Sequence, residues 1–330
     1  MKGEKTLNDI KEGYSVVKRI LNDKKTIESL AKKTKRYSRI YTIGAGSSFW
    51  MSEITASLLR SYKVDATAIH SSNFLFSNYP LKNTLIIAFS QSGETTETKK
   101  AIQKAKKSNC QIFSIIGQPN SSIAKLSHLN YITNTGKECP MATKSIDAAI
   151  LTSYIYIHAL LNKKTNLSNL PLTMKKSMKV NISKVTTFLK KYQRAYSLGI
   201  DIDYGIAGEL STKFAESPLI QVTPLHALEI SHGPKSNVKN IPTFIITTEK
   251  KYRKHYISLI KELIKTKAKI IVISNQHYPS DFFIKIPSNS LTIFSTIKVI
   301  QRIAQETAVK KNLNPDSPQN LPKFIVRKDL

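Results

Sequence analysis

The sequence predicts an α/β protein made of two parallel sheets, each flanked by helices. Three observations carry that expectation. Short β-branched runs alternate with longer amphipathic stretches along the chain, the pattern of βαβ units. The same rhythm occurs twice, on either side of a polar stretch. The 330 residues exceed one ordinary core and suit two domains. Hydrophobic content of 41% with 22% charged residues is that of a chain that buries real cores.

In order, a helical N-terminal segment leads to strand RIYTI (39–43), helix SEITASLLRSY (52–62) and strand ATAIH (66–70). Strand TLIIAF (84–89) and helix ETTETKKAIQKAKK (94–107) follow, then QIFSIIG, SSIAKLS and NYIT. A helical stretch, DAAILTSYIYIHALL (147–161), closes the first half. The second half repeats the plan with AYSLGI, a helix over IAGELSTKFAES, then LIQV, TFIITT, HYISLIKELIKTK, KIIVIS, FFIKI and a helix through FSTIKVIQRIAQETAVKK. The expected division is a first domain over 1–165, a linker over 166–178 and a second domain over 179–330. Ligands of open parallel sheets bind beyond the carboxyl ends of the strands, so the residues after each strand are the candidates.

The formal charge of +29, from 51 basic and 22 acidic side chains, suits nucleic acid, acidic lipid or phosphorylated small molecules alike. The lysines fall mostly on polar helix faces, and no zinc-knuckle or RNA-binding aromatic signature accompanies them, so a solvated surface is expected rather than a nucleic-acid partner. No apolar stretch approaches the ~18 residues that cross a bilayer, and no targeting segment is visible behind the N-terminal lysines. With two cysteines, Cys110 and Cys139, a disulfide framework is not expected; the reading is a cytoplasmic protein without a membrane partner.

Two loops carry candidate chemistry. Gly44-Ala45-Gly46-Ser47-Ser48 follows RIYTI and precedes a helix. As a dinucleotide fingerprint it lacks the third glycine, and ATAIH ends without the acidic residue that would hold a ribose, so no cofactor is expected. Ser90-Gln91-Ser92-Gly93-Glu94-Thr95 follows TLIIAF and opens a helix. Its hydroxyls and backbone N–H groups converge on a helix N-terminus, whose partial positive charge favours an anion such as phosphate. Serines and threonines also cap helices without any ligand. Two such loops after strands of one domain shift the balance to a phosphate site.

In the second half, Glu209, Lys213 and Glu216 stand four and three residues apart and form one helical stripe, beside the apolar stripe of Ile206, Leu210 and Phe214. A carboxylate there with a lysine nearby is either an ordinary helix ion pair or a tunable base. His226 and His232 do not share a helical face and no HExxH or Cys/His cluster exists, so no metal site is expected.

These residues resemble the sugar isomerase (SIS) domains, which carry a Gly-x-Ser-Ser loop and a Ser-x-Ser-Gly-Glu-Thr loop that together bind a sugar 6-phosphate. The likeness covers almost the whole chain and is strongest to the isomerase half of glucosamine-6-phosphate synthases and their stand-alone tandem relatives. It implies two flavodoxin-like domains. It implies too that Ser47, Ser48, Ser90, Gln91, Ser92 and Thr95 hold the phosphate or neighbouring hydroxyls, with the loop from Glu138 to Thr143 lining the sugar. Lys213-Phe-Ala-Glu216, then His232-Gly233-Pro234, and a tail from Asn314 to Lys323 similar to the Pro-Asp-x-Pro-x-Asn-Leu-x-Lys pattern complete the match.

By that resemblance Glu216 is the proton-transfer base, and His232 opens the sugar ring from across a homodimer that shares its sites. Lys213 stabilises oxyanion charge, and Lys323, beside Pro322, binds the keto sugar or forms an imine with it. Two departures touch specificity. The turn after AYSL is Gly199-Ile200-Asp201 rather than Gly-Arg-Gly, and a shortened Cys139–Ala142 loop leaves the sugar contact open between Met141 and Ala142. The expected substrate is a phosphorylated hexose or aminohexose. Because the chain starts directly at the sugar isomerase region, the expected reaction interconverts glucosamine 6-phosphate with fructose 6-phosphate and free ammonia. A plain hexose-6-phosphate isomerase, a fructosamine-6-phosphate deglycase and a non-catalytic sugar-phosphate sensor are the alternatives.

Overall fold

The computed structural model describes residues 1–35, 37–288 and 291–321. Two compact units emerge, each holding one five-stranded parallel sheet.

The first sheet contains β1 (Arg39–Gly44), β2 (Ala66–His70), β3 (Thr84–Ser90), β4 (Gln111–Ile116) and β5 (Leu129–Ile132) in the order β2-β1-β3-β4-β5. Every residue of β3 is buried, as a central parallel strand covered on both faces requires, and its centre, LIIAF, reads accordingly as an unbroken apolar run. At the edge, β2 buries only Ala66 and Ile69. The helices of this unit are α2 (Lys24–Lys32), α3 (Ser47–Ser61), α4 (Ser71–Phe76), α5 (Thr96–Lys107), α6 (Ser122–Leu126) and α7 (Lys144–Leu160). Tyr41, Ile43, Ile86, Ile102 and Ile112 join one core cluster, while on the other face Phe113 stacks on Tyr156 with ring centroids 3.9 Å apart. On α5, Ala101, Ile102 and Ala105 face the core and Lys106 and Lys107 are exposed, so part of the positive charge lies on a solvated helix face.

The second sheet, in the order β10-β9-β8-β6-β7, contains β6 (Arg194–Gly199), β7 (Gln221–His226), β8 (Pro242–Thr247), β9 (Lys269–Ser274) and β10 (Phe282–Lys285). Read from its own first strand, this is the topology of the first sheet repeated. Its helices include α8 (Leu170–Ser177), α9 (Ser183–Leu189), α10 (Ile202–Glu216), α11 (Arg253–Lys265) and α12 (Thr292–Lys310). The unit also takes in Cys139–Thr143 and residues Met1–Tyr14, most of them in helix α1 (Glu4–Asn22).

Within the stretch 166–178, expected as a linker, Leu170–Ser177 form α8. Leu170, Met174 and Ser177 recur at helical spacing and are buried, and Pro171 sits in the first turn, where its missing N–H costs nothing. Within this unit Asn314 and Asp316 meet the N-terminal residues. The Asp316 carboxylate accepts hydrogen bonds from the backbone N–H of Lys5 and Thr6, capping the first turn of α1, and Asn314 accepts from Gly3 N–H. No helix among the described residues is long and apolar enough to cross a membrane.

Candidate active site

In the first sheet the strand order changes direction between β1 and β3, and both candidate loops leave the carboxyl ends of those two strands. That is the topological switch point where open α/β sheets bind ligands. Gly44 ends β1 because α3 comes back against it: a Cβ there would lie 2.4 Å from the Ser48 carbonyl. Gly46 then takes φ +56° and ψ −131° to start the helix.

The hydroxyls of these loops do not cap helices. The residue before α3 is Gly46, which has no side chain, and Thr95 before α5 makes no side-chain cap. Ser90 Oγ accepts from Gly93 N–H at 3.0 Å and Ser92 Oγ from Glu94 N–H at 3.2 Å, which folds the β3–α5 turn on itself. Ser47 Oγ is buried and has no hydrogen-bond partner among the described residues, and an orphaned hydroxyl beside a helix start is what a ligand oxygen would satisfy.

Outer contacts hold the turn. Gln91 Nε2 donates to Thr135 Oγ1 at 2.8 Å, and Gly93, at φ +67°, leaves no room for a Cβ against Ser121. Glu94 accepts from Ser122 N–H at 2.7 Å, and that bond chiefly holds its carboxyl below the ordinary range. Glu138, in the sugar-lining loop of the resemblance, accepts from the backbone N–H of Ser145 and, through a very short bond, from its hydroxyl.

In the second unit, α10 brings three of the singled-out residues together. Lys213 is fully buried. Its Nζ donates to Glu216 Oε2 at 2.6 Å and lies 3.4 Å from Glu209 Oε1. Glu209 is likewise buried, whereas the Glu216 side chain keeps 18% of its surface exposed. The ammonium is thus a fixed counter-charge and Glu216 is the carboxylate of the pair that solvent reaches. His232 is exposed at the end of a short 3-10 turn (Ala227–His232) and makes no hydrogen bond to these carboxylates. Its loop is pinned to α11 through Glu262, which accepts from Ser231 Oγ and pairs with Lys235. Met141 is fully buried, so Ala142, half-buried, is the member of that pair with surface to offer. Pro322 and Lys323 lie outside the described residues.

Sequence reasoning missed Asp203 in the first turn of α10. It is fully buried and accepts from Thr248 N–H at 3.0 Å and Thr248 Oγ1 at 2.6 Å. Burial pushes its carboxyl up to about 7, with Glu249 and Asp201 adding to the rise and the two Thr248 bonds opposing it. Only the turn after β8 brings Thr248 to it, and nothing in the spacing of the two residues signals that. A cavity of about 310 Å³ in the same unit, lined by Ile10, Tyr14, Met174, Met178 and Lys298 among others, includes no candidate residue. Among the described residues no cluster suited to a metal ion exists.

Comparison with known proteins gives this arrangement a context. Residues 34–163 match the family model of the SIS domain. A probable glutamine–fructose-6-phosphate aminotransferase [isomerizing] from Acanthamoeba polyphaga mimivirus is 27% identical over 307 residues, 87% of this chain and 51% of that protein. This chain spans about half the length of the curated relatives it matches. Among solved structures, the C-terminal domain of glucosamine-fructose-6-phosphate aminotransferase from Francisella tularensis superposes with a TM-score of 0.80 at 21% identity, over 94% of this chain and 97% of that one. A glucosamine-6-phosphate deaminase from Thermotoga maritima gives 0.78 at 21%, over 98% and 100%. The chain therefore carries a SIS domain, has the α/β fold of these structures, and is homologous to the isomerase domain of the aminotransferases.

Proposed function

We propose that the protein is an aminosugar-phosphate deaminase and isomerase that interconverts glucosamine 6-phosphate and water with fructose 6-phosphate and ammonia. The observation that carries this reading is the α10 trio: a buried lysine locks one end of a carboxylate whose side chain remains partly open to solvent. A protein that only senses sugar phosphates needs the hydroxyl loops and has no use for such a base.

On this reading the β1–α3 and β3–α5 loops hold the 6-phosphate through Ser47, Ser48, Ser90, Gln91, Ser92 and Thr95, with the α5 N-terminus adding its partial charge. The imidazole of His232, supplied by a second copy of the chain, moves a proton between ring oxygen and anomeric hydroxyl to open the ring. Glu216 removes the proton from C2 and returns it to C1, turning the open-chain aldose into a 2-imine. Lys213 offsets the negative charge that builds on the O1 side of the enolamine. Water then adds to the C2=N bond and ammonia leaves, giving fructose 6-phosphate. Lys323 keeps the role the resemblance implies, on the keto sugar. The Thermotoga maritima structure is of a protein named for the deamination, and the aminotransferases are named for fructose 6-phosphate.

The test is incubation with a panel of hexose and aminohexose 6-phosphates, with ammonia and ketose followed separately. Ketose and ammonia in equal amounts from glucosamine 6-phosphate are expected. Ketose without ammonia from glucose 6-phosphate would instead select the plain isomerase, and no turnover of any substrate despite binding would select the sensor.

A further inference from the structure

One cavity in the unit of the second sheet has no part in the proposed chemistry. It measures about 310 Å³, within the range of small-molecule pockets, and its lining comes from α1, α12 and the region of α8. Ile10 and Met174, both buried, form its wall together with the half-buried Tyr14 and Met178. That wall is an aliphatic branch, two thioethers and a ring. Water held against it finds few partners, whereas an apolar body gains by leaving water for it. The thioethers are unbranched and polarisable, so they adapt to the outline of what they cover.

Hydrogen bonds hold the helices around this space. Arg302 of α12 donates to the carbonyls of Ser177 and Val180, at 3.3 and 2.7 Å, and so fixes the end of α8. Lys298 of α12, which also lines the cavity, donates to the Ile10 carbonyl at 3.1 Å, and Gln305 donates to that of Gly3 at 3.0 Å. These two bonds tie α12 to the N-terminal helix. The edge of the cavity is cationic. Lys11, Lys175 and Lys179 line it and are exposed, and the Lys175 ammonium stands 4.1 Å from the centre of the Tyr14 ring, a cation–π contact that draws it over the aromatic wall. No carboxylate lines the cavity. Asp9, next to Ile10 in sequence, is buried and accepts from Cys139 N–H at 2.8 Å. An apolar interior with ammonium groups at its edge is complementary to a molecule with an apolar body and an anionic end.

We propose that this cavity is a second ligand site, built from none of the residues assigned to the sugar phosphate, and that it takes a free medium-chain carboxylate. The aliphatic chain enters between Ile10, Met174 and Met178, and the carboxylate stays at the edge with Lys175 and Lys179. The chain supplies most of the affinity, since every methylene removed from water favours the complex, while exposed ammonium groups are screened by solvent and salt. The charge supplies the choice of an acid over an alcohol or an amine. A sugar phosphate has no apolar body to bury, so the cavity leaves the substrate to the hydroxyl loops.

Hexanoate, octanoate and decanoate, each below its micellar concentration, are titrated into the whole chain by calorimetry, beside octanol and octyltrimethylammonium. One octanoate per chain is expected, with each added pair of methylenes tightening binding by up to about tenfold. Octanol and octyltrimethylammonium should bind at least about threefold more weakly than octanoate. Met178→Trp fills the half-buried side of the cavity and should abolish binding. Lys175→Glu with Lys179→Glu changes two exposed positions, so it keeps the fold; it should weaken octanoate at least about tenfold and leave octanol unchanged, and it decides the matter if the tryptophan variant unfolds. Equal affinity along the chain-length series, or for acid and alcohol, would overturn the proposal, as would octanoate binding that survives Met178→Trp in a folded protein. So would no binding at all, the result if a second copy of the chain covers the cavity. Sedimentation with dioleoylphosphatidylglycerol vesicles that Met178→Trp abolishes would assign the cavity to a membrane lipid and reject the free acid.

Discussion

Glu216→Gln separates proton transfer from architecture. The wild-type carboxylate accepts from the Lys213 ammonium at 2.6 Å, and Lys213 also lies 3.4 Å from Glu209. The glutamine carbonyl can accept the same proton, so the buried ammonium is not stranded, and the loss is the difference between a charge-assisted and an ordinary hydrogen bond. That is about 1 kcal/mol, or about 2 to 4 °C in the melting transition. The expected catalytic loss is larger. A glutamine cannot take a proton from carbon, and general bases contribute about 10² to 10⁴ in rate, so kcat should fall at least about a hundredfold with KM little changed. The assay is turnover of glucosamine 6-phosphate beside exchange of its C2 hydrogen with deuterated solvent, which needs the base but not release of ammonia. Both should vanish together. Near-normal turnover and exchange in a folded Glu216→Gln protein would refute the assignment and send the search to Glu209 or to Glu138, already bonded to Ser145.

Two further outcomes follow from the same geometry. If His232 serves a site on a second copy, Glu216→Ala and His232→Ala proteins, each inactive, should recover part of the activity after subunit exchange; exchange shown by a mass or fluorescence label without recovery would argue against a shared site. The buried Asp203 makes stability depend on pH. Its carboxyl, ordinarily near 3.8, is raised to about 7 in the folded protein, so the fold holds a proton that the unfolded chain releases. Stability contributed by the neutral form is complete below about pH 4 and is lost as pH rises through about 7, at up to ~1.4 kcal/mol per unit. Asp203→Asn should therefore gain on wild type in urea unfolding between pH 5 and pH 8, and a constant difference would contradict the assigned shift.

The alternation of β-branched and amphipathic segments made both sheets legible, because a strand buried on two faces must be apolar throughout and a helix lying on it must be apolar on one side. The two hydroxyl loops and the Glu209, Lys213 and Glu216 stripe were legible for a related reason: their geometry is set within one loop or one helix. Helix α8 was not legible inside the stretch expected as a linker, because the Leu170 and Met174 positions that bury it are set among polar residues and need a partner surface to be recognised.

That the turns after β1 and β6 are alike was decided only in three dimensions. Gly44-Ala45-Gly46 and Gly199-Ile200-Asp201 differ in sequence yet take one backbone course, since the close return of the following helix imposes it on both. Ser48 and Asp203 look like unrelated helix-start residues until that course is laid out. The partner of Asp203 is 45 residues away, past a strand, a turn and a second strand, and no local rule of propensity or spacing reaches that far. Sequence periodicity made most segments legible, because burial acts locally along the chain. Which distant loop meets the end of a strand, as Thr248 meets Asp203, depends on the packing of the whole sheet.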